Sequence, residues 1–190
     1  MMLHLSTDRL DLNVLFPEDA EKVARFYQRN IPFLADKEPN VSQAMTDVRT
    51  QEAAMNSEIE KLKNGSFVRY WYSLKENPEI LCGTVCFQNI THSAFHTCQI
   101  GYKQDIGCMN RGYATEACLC AIRHLFNNES IHRITASVLT DNLPSVRLLK
   151  RLGFEYEGAE KSSVIIRGVW KDCYRYALIG PDNKTDPEAL

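Results

Sequence analysis

Apolar and polar residues alternate in several short segments of the chain, and this period of two predicts β-strands. The first such segment covers residues 3–15 and alternates at Leu10, Leu12 and Val14. The later strand segments are residues 68–74, 81–87, 95–104, 133–139, 154–160 and 172–179. Because the turn Glu76-Asn77-Pro78 separates the first two of these, they are expected to form an antiparallel hairpin.

Other segments repeat their apolar residues at the spacing of an amphipathic helix. They cover residues 17–30, 42–63, 113–126 and 143–152. Pro17 and two following acids mark the first helix start, and Asn30 and Pro32 predict its end. The last helix is expected to be capped by Asp141 or Asn142 and to stop at Gly153.

The order of these elements predicts the topology. The strands at 95–104 and 133–139 are joined through the helix at 113–126, and such a crossover produces a parallel pair. The other neighbours form hairpins. The sequence therefore predicts an α/β (α+β) fold, a central mixed and mostly antiparallel sheet flanked by about four helices. Residues 1–180 are expected to form a single domain, and residues 181–190 a polar C-terminal tail.

Charge and composition exclude several functional classes. The 190 residues carry 22 basic and 24 acidic side chains, a net charge of −2, without a charged block. We therefore expect no direct nucleic-acid or membrane partner. Every apolar run is interrupted by charge, and no signal peptide is evident, which favours a cytoplasmic protein. The seven cysteines are odd in number and lack paired CxxC spacing. We interpret them as reduced and mostly buried and predict no metal, although zinc or a catalytic cysteine remains an alternative.

The most informative stretch is the predicted strand, loop and helix between Ile100 and Ala117. The free N–H groups at a helix N-terminus form a phosphate site. Gly112 would allow close approach of a ligand to the backbone, and Arg111 could add positive charge. The stretch lacks the GxGxxG of a dinucleotide site and the GK[ST] of a P-loop, so a nucleotide-triphosphate enzyme is disfavoured.

This stretch resembles the acetyl-CoA motif of GNAT acetyltransferases, whose pattern is Q/R-x-x-G-x-G/A. The corresponding residues are Met109-Asn110-Arg111-Gly112-Tyr113-Ala114. The preceding Ile100-Gly101-Tyr102 and the continuation to Ala117 are similar to the RimJ/RimL type, which acetylates N-terminal amines of ribosomal proteins. Asn142-Leu143-Pro144-Ser145, Leu152-Gly153-Phe154 and Thr7-Asp8-Arg9-Leu10 extend the resemblance over nearly the whole chain.

The resemblance implies a GNAT fold, with the parallel strands splayed apart and acetyl-CoA as co-substrate. Pantetheine would pair with the backbone near Tyr102, Lys103 and Gln104. The pyrophosphate would rest on the N–H groups of the loop and helix start, namely Met109, Asn110, Arg111, Gly112, Tyr113 and Ala114. Asn142 would hydrogen-bond pantetheine. Ser145 would lie near the sulfur, where it could steady or protonate the departing thiolate.

The chain departs from the family pattern at three positions. Met109 replaces Gln or Arg in the phosphate motif. Gln99 stands where many relatives have Glu, and an amide can orient a water but cannot itself act as a base. Leu149 stands where many relatives have a Tyr that acts as the general acid. Ser145 is then the remaining hydroxyl on the predicted helix over residues 143–152. Gln99 and Ser145 are therefore the predicted catalytic residues.

Further polar and aromatic residues are interpreted mainly as structural. Glu116 in the first helical turn is expected to interact with the helix dipole. His96 and His132 are taken as structural or surface residues. The run Tyr70-Trp71-Tyr72 is expected to pack in the sheet, although one of its faces could line the acceptor groove.

The predicted function is acetyl transfer from acetyl-CoA to a primary amine by direct attack in a ternary complex. A protein N-terminal α-amine, possibly of a ribosomal protein, is the first choice, and the loop near residues 31–41 and the closing strands would select it. The alternatives are acetylation of a polyamine or aminoglycoside, a CoA-binding module without catalysis, and a thiol enzyme using Cys98 or Cys108. The protein is expected to be a monomer or a homodimer.

Overall fold

The computed structural model describes residues 1–39 and 41–181, and across them the chain forms eight strands and four α-helices. The strands are β1 (His4–Ser6), β2 (Leu10–Asn13), β3 (Phe67–Leu74), β4 (Asn77–Thr91), β5 (Thr97–Gln104), β6 (Arg133–Leu139), β7 (Glu155–Ile166) and β8 (Val169–Ile179). The helices are α1 (Ala20–Leu34), α2 (Val48–Lys63), α3 (Tyr113–Asn128) and α4 (Leu143–Arg151). Asn40 of the predicted loop and residues 182–190 of the predicted tail lie outside the described residues.

The strands form a single sheet in the order β1-β2-β3-β4-β5-β6-β8-β7. All neighbouring pairs are antiparallel except β5 and β6, which are parallel. The helix between β5 and β6 is α3, as the crossover pattern requires. The predicted fold class, a mixed and mostly antiparallel sheet with one parallel pair, is therefore confirmed.

The predicted first strand, residues 3–15, is wrong as a single element because it is divided into β1 and β2. These strands form a small antiparallel hairpin. Thr7 closes the turn between them, since its N–H donates to the Leu10 carbonyl at 2.9 Å and its hydroxyl accepts from the Leu10 N–H at 3.0 Å. The side-chain hydrogen bond of Thr7 offers the backbone an alternative to a continuous strand.

The predicted end of α1 at Asn30 and Pro32 is also wrong, because the helix continues to Leu34. Asn30 is fully buried and donates from Nδ2 to the Phe26 carbonyl at 2.8 Å, so it supports the helix. Pro32 removes one helical N–H donor, but it lies only two residues before the end of α1, so that little of the helix follows it. The Ala35 N–H still donates to the Ile31 carbonyl at 2.9 Å.

The predicted helix over 42–63 is interrupted at Asp47. A short 3-10 turn, Gln43–Thr46, precedes α2. The backbone of Asp47 is extended, and its carboxylate accepts from the Thr50 N–H at 2.8 Å as the N-cap of α2. A capping Asp fixes the helix start more strongly than the apolar spacing that precedes it.

Helices cover both faces of the sheet. Alternation along β3 sends Tyr70 and Tyr72 into the core that includes α3, whereas Trp71 packs with Phe26 and Tyr27 of α1. All three residues of the aromatic run are buried, which confirms sheet packing. Among the described residues, no helix is long and apolar enough to span a bilayer.

The β5–β6 pair is short, and this opens the sheet. Its register includes only Thr97 with Arg133, Cys98 with Ile134 and Gln99 with Thr135. Beyond Gln99 the two strands diverge, although β5 continues to Gln104 and β6 to Leu139. The sheet therefore has a gap whose walls are strand backbone, and the candidate site lies in this gap.

Candidate active site

A cleft of about 900 Å³ occupies the gap between β5 and β6 and reaches both faces of the sheet. Its volume lies in the range of small-molecule and cofactor sites. The predicted site residues that line it are Gln99, Tyr102, Lys103, Gln104, Met109, Asn110, Gly112, Ala114, Asn142 and Ser145. The structure thus brings together residues from β5, the loop after it, α3 and α4.

The loop between β5 and α3 is anchored to α1 by the buried carboxylate of Asp105. This carboxylate accepts from Arg29 Nε at 3.0 Å, Asn30 Nδ2 at 2.8 Å and the Gly107 N–H at 2.8 Å. The Asn30 Oδ1 in turn accepts from the Ile106 N–H at 2.9 Å. Sequence reasoning missed this network because its partners are 75 and 76 residues apart along the chain.

The N-terminus of α3 has the geometry of an anion site. Asn110 and Gly112 have φ values of 59° and 81°, in the left-handed region. Such alternation turns successive N–H groups toward one side and forms a concave anion-binding surface. Gly112 is the N-cap residue, and no described side chain caps the helix. The first-turn N–H groups and the helix dipole therefore suit a phosphate, and Ala114 and Thr115 line the cleft beside them.

Arg111 and Tyr113 lie outside the lining of the cleft. The Arg111 carbonyl accepts from Arg9 Nη1 at 3.2 Å, and the Arg9 guanidinium stacks 4.7 Å above the Tyr113 ring centre. Glu116 completes the cluster by accepting from Thr7 Oγ1 at 2.6 Å and from Arg9 Nε at 2.7 Å. These side chains join the first hairpin to α3. The predicted pyrophosphate contacts of Arg111 and Tyr113, which use their backbone, stay a prediction.

The electrostatic state of Glu116 follows from this cluster. Burial alone would raise the pKa of Glu116, but the hydrogen bonds from Thr7 and Arg9 outweigh it and lower the pKa below its ordinary value. Glu116 is therefore an ionised structural group near the helix N-terminus. A structural role for Glu116 was expected from the helix dipole. The structure adds specific hydrogen bonds from Thr7 and Arg9.

Tyr102 and Ser145 meet in the half of the cleft that lies on the α3 and α4 side of the sheet, which we call the donor half. Their hydroxyl oxygens are 2.7 Å apart. Burial raises the pKa of the Tyr102 phenol well above its ordinary value. Asn142 accepts from the Ser145 N–H at 3.4 Å through its side-chain oxygen and caps α4. The predicted contact of Asn142 with pantetheine would use the nitrogen of the same amide.

The other half of the cleft lies on the sheet face that carries α1 and α2. Gln88 and Gln99 are cross-strand partners there, and Gln88 Nε2 donates to Gln99 Oε1 at 3.3 Å. Cys86 and Gly101 form the next pair on the same face of the sheet. A Cβ at Gly101 would lie 3.1 Å from the Cys86 sulfur, so glycine keeps this part of the floor open.

Ion pairs surround this second half, which we call the acceptor half. They are Lys103 with Glu38 at 3.3 Å, Arg69 with Glu58 at 2.9 Å and Arg175 with Glu160 at 2.7 Å. Burial alone would lower the pKa of Lys103, but the carboxylate of Glu38 outweighs it and raises the pKa. The sequence predicted the loop that contains Glu38 and the closing strand that contains Arg175, but not these pairs, because each pair joins residues of two different elements.

The geometry disfavours the thiol-enzyme alternative. The nucleophile of a thiol enzyme is the thiolate, whose population depends on a low pKa. Burial raises the pKa of Cys98 and of Cys108 to about 12. Both residues also lie outside the lining of the cleft.

Comparison with known proteins identifies the family. A family model described as an acetyltransferase (GNAT) domain matches residues 9–155. The [ribosomal protein uS5]-alanine N-acetyltransferase of Escherichia coli (strain K12) is 33% identical over 180 residues, which cover 95% of this chain and 92% of that protein. The chain belongs to the GNAT acetyltransferase family. It is an N-acetyltransferase, and its predicted family is confirmed.

Solved structures confirm the GNAT fold. The crystal structure of ribosomal-protein-S5-alanine acetyltransferase from Vibrio fischeri superposes with a TM-score of 0.90 at 27% identity, covering 97% of this chain and 100% of that one. Mycobacterium smegmatis RimJ, solved with CoA-disulfide, gives a TM-score of 0.85 at 23% identity, covering 93% of this chain and 84% of that one. The acetyltransferase thus shares its fold, which contains the splayed β5–β6 pair, with these proteins over nearly the full length of the chain.

Proposed function

We propose that this acetyltransferase moves the acetyl group of acetyl-CoA to the α-amine at the N-terminus of a protein, with a ribosomal protein as the first acceptor to test. The observation that carries the proposal is the cleft through the splayed sheet, which opens toward separate donor and acceptor halves. The similarity over 95% of the chain to a uS5-alanine N-acetyltransferase supports the choice of acceptor.

The donor half provides the groups that acetyl-CoA needs. Beyond Gln99, the edge of β5 that faces β6 is free of ladder pairing as far as Gln104. Pantetheine amides would pair with this edge near Tyr102, Lys103 and Gln104. The pyrophosphate would rest on N–H groups from Met109 to Ala114, where the left-handed residues and the helix dipole favour an anion. Asn142 would donate to pantetheine.

The proposed reaction is direct attack of the acceptor amine on the thioester carbonyl. A backbone N–H of β5 would donate to the carbonyl oxygen as negative charge develops on it. Gln99 would orient a water that accepts the proton of the amine, because its amide cannot accept that proton itself. Ser145 would donate a hydrogen bond to the departing sulfur.

The acceptor half favours a polypeptide over a small amine. It is bounded by residues after α1, by strands β3 to β5 and by the β7–β8 hairpin, including Glu38, Arg69 and Arg175. Ion pairs and the Gln88–Gln99 amides offer many polar groups, which an extended main chain can use. A polyamine or aminoglycoside would use only part of this surface.

A panel of acceptors tests the proposal. Purified enzyme is incubated with acetyl-CoA and either a peptide copying a ribosomal-protein N-terminus, the same peptide with a blocked α-amine and an internal Lys, spermidine, or an aminoglycoside. Mass spectrometry should find acetyl groups on the free α-amine, with kcat/KM at least about 100-fold above that of the other acceptors. Preferred acetylation of spermidine or the aminoglycoside would overturn the proposed acceptor. No product with any amine would favour the non-catalytic CoA-binding module.

A further inference from the structure

The contact between Tyr102 and Ser145 joins β5, which precedes α3 in the chain, to α4, which follows it. Tyr102 is on β5 and Ser145 is in the first turn of α4, 43 positions later. Their hydroxyl oxygens lie 2.7 Å apart, a normal distance for an O–H···O hydrogen bond. Both residues line the cleft. The side chain of Tyr102 therefore bears directly on the hydroxyl that we place beside the leaving sulfur.

Either hydroxyl can be the donor in this contact, and the Tyr102 hydroxyl also lies 3.4 Å from the Ser145 carbonyl oxygen. A phenol has one donor proton, and a serine hydroxyl has one donor proton and two acceptor sites. The buried phenol keeps its proton because its pKa is raised by burial. If Tyr102 donates to Ser145 Oγ, the Ser145 proton is free to point into the cleft. If Ser145 donated to Tyr102, a sulfur beside Ser145 would meet lone pairs.

The Ser145 hydroxyl proton also has a competing direction, away from the cleft. Serine hydroxyls within helices readily donate to a backbone carbonyl of the preceding turn. At position 149, one turn further along α4, this chain has Leu149, which is fully buried and has no hydroxyl. The Ser145 hydroxyl is therefore contacted by Tyr102 from β5, whereas position 149 of α4 offers no second hydroxyl.

We propose that Tyr102 is a positioning residue, which donates to Ser145 Oγ and so directs the Ser145 proton toward the thioester sulfur. The inference rests on the proposed function, because it assumes that acetyl-CoA occupies the cleft. As the C–N bond forms and the C–S bond breaks, the sulfur leaves with the electron pair and accepts the Ser145 hydrogen bond. The proton lost by the amine passes to water, and the thiolate takes a proton from water on release. Both hydroxyls end the turnover unchanged.

A double-mutant cycle tests this assignment. The variants are Tyr102→Phe, which removes one oxygen, Ser145→Ala and the double variant. Single-turnover rates with acetyl-CoA and the acceptor peptide report the chemical step, and calorimetry reports the Kd for acetyl-CoA. We expect Ser145→Ala to slow the step about 30-fold and Tyr102→Phe about 10-fold. The double variant should equal Ser145→Ala, because Tyr102 acts only through Ser145. All Kd values should stay within about twofold of wild type, since the effect is on the transition state.

Every other pattern overturns the inference. Unchanged rates in Tyr102→Phe, losses that multiply in the double variant, or a weakened Kd in Tyr102→Phe would each show that Tyr102 does not act through Ser145. If the peptide proves not to be the acceptor, the proposed acceptor fails, but the cycle can still be measured on the slow hydrolysis of acetyl-CoA. That reaction has the same leaving group, so the two failures are distinguishable.

Discussion

At the scale of single residues, Asp105 shows how a buried carboxylate can hold a binding loop in place. Its side chain is 7% exposed and makes bonds to α1 and to its own loop, whereas its partner Arg29 is 40% exposed. The solvent-screened charge of Arg29 contributes less than the buried hydrogen bonds from Asn30 and Gly107. The shape of the proposed pyrophosphate site therefore depends on a residue outside the family motif.

Replacing Asp105 tests this dependence. Asp105→Asn would place an amide donor against the donors of Arg29 or Asn30, and we expect the free energy of unfolding to fall by about 2–3 kcal/mol. The affinity for acetyl-CoA should fall with it, because the loop loses its anchor. Urea denaturation and calorimetry measure the two effects. The control is Asp141→Asn, which changes an exposed residue, and equal behaviour of the two variants would contradict the argument.

Glu116 gives a prediction about pH. Its pKa is lowered from the ordinary value of 4.5, so its contribution to stability is complete above that value and is lost as pH falls through the folded-state pKa. Glu116→Gln should lower the free energy of unfolding by about 1 kcal/mol at pH 7. Urea denaturation should show this difference shrinking below pH 4.5. A difference that stays constant down to pH 3 would exclude ionisation as its cause.

At the scale of elements, local signals predicted what local interactions determine. The strong apolar spacing of α3 and the alternation of β6 match the structure, and the crossover rule predicted the parallel pair. The end of α1 and the start of α2 were missed for a physical reason. Asn30 is held by Asp105 and supports its helix, and Asp47 caps α2 inside an apparently continuous pattern. Neither a contact between residues far apart in the chain nor a helix cap changes the spacing of apolar residues in the sequence.

The contact between β4 and its neighbours is tight at Gly83. A Cβ there would lie 2.2 Å from the Tyr72 hydroxyl and 2.4 Å from the Lys103 carbonyl. The carbonyl belongs to β5, the strand that forms a wall of the cleft. Gly83→Ala should therefore lower the free energy of unfolding by about 3 kcal/mol, because the backbone of β5 must move. Thermal or urea denaturation measures this, and a loss below about 1 kcal/mol would show that the strands adapt easily.

At the scale of the whole molecule, the sheet divides the cleft into a donor half and an acceptor half. The residues of the donor half could be predicted, because three short motifs, at residues 100–102, 109–114 and 142–145, carry them. Of the acceptor half, Gln99 and the loop near residues 31–41 could be predicted. The contacts of Glu38, Arg69 and Arg175 could not, since only the tertiary fold brings their segments together. The extent of the single domain and the oligomeric state stay predictions.

The division into halves predicts separable effects. Glu38→Gln removes the carboxylate beside Lys103 and leaves an unpaired cation in the acceptor half. We expect the KM for the acceptor peptide to rise about 10-fold, since the protonated α-amine loses a favourable charge. The Kd for acetyl-CoA should stay within about twofold. Steady-state kinetics and calorimetry measure these values, and a parallel loss of acetyl-CoA binding would contradict the division.

The measurement that tests the central claim most directly is a calorimetric titration with acetyl-CoA of wild type, Ala114→Glu and the control Ala94→Glu. Ala114 lines the cleft in the first turn of α3, where a new carboxylate suits the helix dipole but repels a phosphate. Ala94 lies exposed in the β4–β5 turn. We predict micromolar binding by wild type and Ala94→Glu and at least about 30-fold weaker binding by Ala114→Glu. Equal binding by all three would contradict the claim that the N-terminus of α3 holds the pyrophosphate of acetyl-CoA.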